Sequence, residues 1–139
     1  MTDREVALRK IAVGDIFHAR ATNDASFICL ALQVRDKTIF ARRVTTQSVH
    51  EFDRTTGVGG RKHSPLIIDS VAPLPDEARH AILSLDRKYR EDEFRRAEDP
   101  DWRMPDEEAK LTPAQVRALL SIMRIYDGNR LPPPHGTSD

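Results

Sequence analysis

His50-Glu51-Phe52-Asp53 is the densest run of groups able to hold a cation or move a proton. In extended backbone Glu51 and Asp53 point to one side while His50 and Phe52 point to the other. Two oxygen donors do not complete a divalent-cation site. The spacing also matches neither the zincin pattern nor a structural zinc motif. The run therefore reads as a solvated strand face, and a small enzyme or cation site at Glu51 and Asp53 is the third of three functional readings.

Gly57-Val58-Gly59-Gly60-Arg61-Lys62-His63-Ser64 is glycine-rich and basic, as a phosphate cradle would be. A phosphate loop needs a helix starting directly after it, so that backbone amides converge on the anion. Here Pro65 and a β-branched run follow, so residues 58–65 read as a loop between strands. Its charge makes it a natural place for a partner contact. Arg42 and Arg43 add to a local basic face. A small barrel using Arg42, Arg43, Arg61 and Lys62 against nucleic acid is the second functional reading. Neighbouring Arg42 and Arg43 point to opposite faces of a strand, however, and so do not form one clamp.

The five histidines are scattered, with no pair at ligand spacing on a helix. Cys29, the only cysteine, lies inside an apolar run and reads as a buried, inert thiol. No serine stands in a nucleophile-elbow context. No catalytic residue, metal ligand set or cofactor is assigned, and the balance leans away from an enzyme.

The most distinctive surface is on the last helix. Leu111-Thr112-Pro113-Ala114-Gln115 is a strong helix start: Thr112 caps, Pro113 fits the first position and Gln115 reaches back. Val116, Leu119, Leu120, Met123 and Tyr126 then form one apolar stripe, and Gly128 is placed to take a left-handed cap. The stripe either folds back on the core or docks on a second copy or another protein.

The elements that position these groups follow from hydrophobic period and turn residues. Residues 1–12 form a short helix or a lead-in strand. Strands are expected over 15–21, 26–35, 39–44, 49–54 and 66–71, separated by turns at 22–25 and 36–37. The second strand is apolar on both faces, with Ile28, Leu30, Leu32 and Val34 on one and Phe27, Cys29 and Ala31 on the other. It must be covered twice, and turning at 36–37 sets Val34 opposite Ile39 and Leu32 opposite Ala41. After Pro75 a helix is marked by Ala78, Ile82, Leu85 and Tyr89.

The fold class is therefore α+β: a small curled antiparallel sheet or SH3-like barrel of about five strands, a packed helix, then a tethered C-terminal helix. The domain layout is 1–98 for the barrel with its helix, 99–111 for an acidic, proline-marked linker, 112–128 for the amphipathic helix and 129–139 for a mobile tail. At 139 residues, 39% hydrophobic and 32% charged, the chain affords one domain with a modest core. Net charge is zero, yet residues 1–72 carry eleven Lys/Arg against eight Asp/Glu and residues 73–139 eleven against fourteen. An overall basic footprint is absent. No secretory signal or apolar span is visible, which points to the cytoplasm and away from membranes. The leading functional reading is a non-enzymatic binding or adaptor module. It would associate with itself, as a homodimer, or with a protein partner, through the terminal helix.

Overall fold

A computed structural model describes residues 1–134. Six strands close into an antiparallel barrel in chain order: β1 (Ile16–Ala21), β2 (Ser26–Val34), β3 (Thr38–Arg43), β4 (Val49–Asp53), β5 (Val58–Arg61) and β6 (Ser64–Ser70), with β6 pairing back to β1. The helices are α1 (Asp3–Arg9), α2 (Asp76–Glu98), α3 (Asp106–Ala109) and α4 (Pro113–Asp127). The α+β class and the small barrel followed by a packed helix and a C-terminal helix stand as expected.

The double coverage demanded by β2 is met by two cores. Phe27, Cys29 and Ala31 face the barrel interior with Phe17, Ala19, Ile39, Ala41, Phe52, Leu66 and Ile68. Ile28, Leu30 and Leu32 face outward, where Ala78, Ala81, Ile82 and Leu85 of α2 and Ala118, Ile122 and Tyr126 of α4 cover the sheet. Burial on both sides is what fixes the register, because a one-residue slip would exchange the two cores.

The β2–β3 register follows expectation at one end and departs at the other. Val34 opposes Ile39, but Ala31, not Leu32, opposes Ala41. A bulge between Ala31 and Gln33 accounts for both facts. The extra residue turns Val34 from the outer face into the interior cluster and bends the strand, as barrel closure requires.

The expected loop over 58–65 is instead β5, a tight turn and the start of β6. Gly59 opposes Phe52, and a Cβ there would lie 2.2 Å from the Glu51 carbonyl oxygen. Glycine is needed because β4 and β5 approach so closely. One end of the barrel is stoppered by α1, whose Leu8, with Ile11 just beyond it, joins the interior cluster. Arg4 there donates Nε–H to the Thr56 carbonyl at 2.8 Å.

Residues 99–112 return the chain along α2 through α3, with Trp102 Nε1 donating to Asp92 at 3.0 Å. Thr112 and Gln115 form the expected capping box at the start of α4. Gly128 ends α4 at φ −77°, in the right-handed region, not the left-handed cap expected from glycine. Its N–H still reaches the Arg124 carbonyl, so an ordinary last turn suffices. Beyond α4 the Leu131 N–H donates to the Asp69 carbonyl at 2.7 Å, and the Leu131 side chain packs on the interior cluster. Of the expected tail, residues 135–139 lie outside the described residues.

Candidate functional site

The two neighbouring arginines at the end of β3 part company, as strand alternation requires. Arg42 faces outward and meets Asp86 of α2 through two hydrogen bonds, Nε at 2.9 Å and Nη2 at 2.7 Å. Burial opposes ionisation of Asp86, but the Arg42 fork and the Gln47 amide outweigh it and hold the carboxyl below its ordinary range. Arg42 is thus neutralised within the chain and locks α2 to the barrel.

Arg43 faces the bore. Its guanidinium lies 3.8 Å from the centre of the Phe27 ring, and Phe27 meets His50 edge-on at 5.8 Å. Ser48 Oγ and His50 Nε2 are 3.0 Å apart. Burial, together with the nearby Arg43 charge, lowers the His50 pKa from its ordinary value, which favours the neutral ring. Among the described residues no carboxylate pairs with Arg43, and its buried Nε has no hydrogen-bond partner. Arg61 and Lys62, at the end of β5 and in the turn after it, are exposed. The barrel therefore brings Arg43, Arg61 and Lys62 to one end and sends Arg42 elsewhere.

Glu51 and Asp53 lie on the outer face of β4, both exposed. Asp53 is occupied as a turn cap: its Oδ1 accepts from the backbone N–H groups of Thr55 and Thr56. The Thr56 amide is the main reason its carboxyl is held below the ordinary range. No group of three or more His, Cys, Asp or Glu suited to a metal ion occurs among the described residues.

The stripe read on α4 divides. Tyr126 is fully buried, its ring 4.9 Å from that of His18, while Leu119 and Met123 are half-buried. Val116 is 41% exposed and Leu120 67%. The residues that face α2 and the barrel are Gln115, Ala118, Ile122 and Tyr126. The helix is apolar around much of its circumference, so period alone did not choose the buried side. Small residues did: Ala118 meets Ala78 and Ala81 of α2 in one cluster.

One constellation escaped sequence reasoning because its members are far apart in the chain. His18 Nδ1 lies 2.5 Å from Asp69 Oδ1, Arg20 Nε donates to Asp69 Oδ2 at 2.6 Å, and Arg20 Nη2 donates to Asp127 Oδ1 at the end of α4. A His–Asp pair can orient a general base. Here His18 is 0% exposed under Tyr126, and among the described residues neither its buried Nε2 nor the buried Tyr126 hydroxyl has a hydrogen-bond partner. With the ring roofed over, the chain of contacts works as a clasp joining β1, β6 and α4. Alternation on β1, which puts His18 and Arg20 on one face, was the one local signal.

Cys29 is fully buried, and burial pushes its thiol up to about 12. That suppresses the thiolate a nucleophile requires. No helix among the described residues is long and apolar enough to cross a membrane. Comparison of the chain with protein-family models, curated proteins and solved structures gave no match.

Proposed function

We propose that this chain is a non-enzymatic binding module, working in the cytoplasm, that associates with a second copy of itself through the outer face of α4. One observation carries the reading. Leu120, 67% exposed, stands one turn from Val116, 41% exposed, on a helix whose opposite face is already filled by its own domain. Met123 and Leu119 extend this surface toward the barrel, half-buried. An apolar helix face of this kind fits a matching face or groove.

The surface is small. A stable interface buries roughly 800 Å² on each partner, so a stripe of four aliphatic residues supports weak, concentration-dependent association. The test is solution mass by light scattering over a range of concentrations, on the wild-type chain and on Leu120→Asp. Removing α4 altogether would unroof His18 and the α2 contact, so a surface substitution is the cleaner tool. Mass that rises with concentration in the wild type and stays monomeric in Leu120→Asp is the expected result. A wild-type chain that is monomeric throughout removes the self-association claim.

A further inference from the structure

The barrel has two different ends. At one, α1 and Leu131 close the bore. At the other, Phe27, His50 and Arg43 gather side by side, and Arg43 is a cation. Arg43 lies over Phe27, above the fully buried Cys29, with no carboxylate beside it among the described residues. A partly desolvated charge without a counterion is costly, and an anion brought from outside relieves that cost. The rim around it continues the same sign. Arg61 ends β5, and Lys62 and His63 make the turn into β6. Against these stand Asp24 in the β1–β2 turn and Glu51 on the outer face of β4. Arg43 stands at the end of β3 and Arg61 and Lys62 at the end of β5 and its turn, with β4 between them, an arrangement that suits a chain of phosphates better than a single one. His50, half-buried and edge-on to Phe27 at 5.8 Å, adds an aromatic ring of the kind on which unpaired bases stack.

We propose that this end of the barrel binds the phosphodiester backbone of single-stranded nucleic acid, with Arg43 as the inner contact and Arg61 and Lys62 on the rim. The site is separate from the α4 surface and does not depend on self-association. Arg42 has no part in it, being committed to Asp86.

Fluorescence anisotropy of a labelled mixed-sequence single-stranded oligonucleotide tests the proposal, using the full chain at low and raised salt. Three phosphate contacts on a single strand predict a log–log salt slope of about −2. Because Arg61 and Lys62 are exposed, the double charge reversal Arg61→Glu/Lys62→Glu leaves the melting temperature unchanged and is expected to weaken binding about tenfold or more at low salt. Arg43→Gln, checked for folding in the same way, should weaken it further. Leu120→Asp should bind as the wild type does, which separates this site from the association surface. Four results would overturn the proposal. They are no anisotropy change at low salt, undiminished binding by the charge-reversed protein, equal affinity for a duplex of the same length, and heat protection by inorganic phosphate without oligonucleotide binding.

Discussion

At the scale of single residues, the informative contrast is between Arg42 and Arg43. Strand alternation made it legible that the pair would split, but not which member would find a carboxylate, because Asp86 is 44 positions away on another element. Replacing Asp86 by Ala leaves Arg42, 14% exposed, facing α2 with no counter-charge. A loss of about 3 kcal/mol is expected for breaking a pair of this burial, read from urea denaturation. His50 supplies a pH dependence. Its pKa in the fold lies below the ordinary 6.5, so between the two values the unfolded chain holds the extra proton. Stability therefore rises with pH across that window and is lost as pH falls below about 6.5. Denaturation midpoints between pH 7 and 5 should fall in the wild type and flatten in His50→Gln. Asp86 and Asp53 act with the same sign at lower pH: their folded values are also depressed, so their contribution is present above about 3.8 and fades as pH drops through the folded values.

At the scale of elements, what was legible was what is local. The α4 start is written in Thr112, Pro113 and Gln115, and the capping box forms as read. Turns at 22–25 and 36–37 are likewise set by their own residues, with Asn23 accepting from the Ala25 N–H. β5 was not legible, since three of the four residues around its centre are glycine or a flanking cation and glycine marks loops more often than strands. Its reason is tertiary. The Glu51 carbonyl stands where a Cβ at position 59 would be, 2.2 Å away, and backbone cannot yield as a flexible side chain can. Gly59→Ala is therefore expected to cost about 3 kcal/mol or more, at the upper end for overpacking, with loss of barrel signal in circular dichroism at moderate urea. Gly57, by contrast, needs glycine for its φ of +74° and for room beneath Arg4. The β2 bulge and the His18–Asp69 clasp share the same opacity, because one is a demand of closure and the other joins positions 51 apart.

At the scale of the whole molecule, opposite charge is layered. The basic excess of residues 1–72 sits in the barrel, α1 and their connections, while residues 73–134, which form the helical layer and its connections, carry thirteen Asp/Glu against eleven Lys/Arg, so a neutral chain holds two layers of different net sign. An overall charge count hides this, which is why composition argued against nucleic acid while one end of the barrel argues for it. Cys29 offers a probe of global integrity. With the thiol fully buried and pushed up to about 12, a thiol-specific reagent should label it only when the barrel opens. Labelling rates that rise with urea in step with the unfolding equilibrium are expected, and prompt labelling of the native protein would contradict the double-core arrangement.

The seams of the barrel are unequal. β3 and β4 are matched at five consecutive positions from Thr38 opposite Asp53 to Arg42 opposite Val49, whereas β4 and β5 are matched at Phe52 opposite Gly59 alone. A closed ring of strands has no free edge, and so offers no template for strand addition or fibril growth. That protection is only as durable as the weakest seam. If the ring parts, it parts between β4 and β5, where amide hydrogens should exchange with solvent ahead of those in β2 and β3. The closed cylinder then becomes a six-stranded ribbon with β4 and β5 as new edges, each able to recruit another chain. The same close approach that requires Gly59 thus stands between a self-contained fold and one prone to exchange strands with its neighbours.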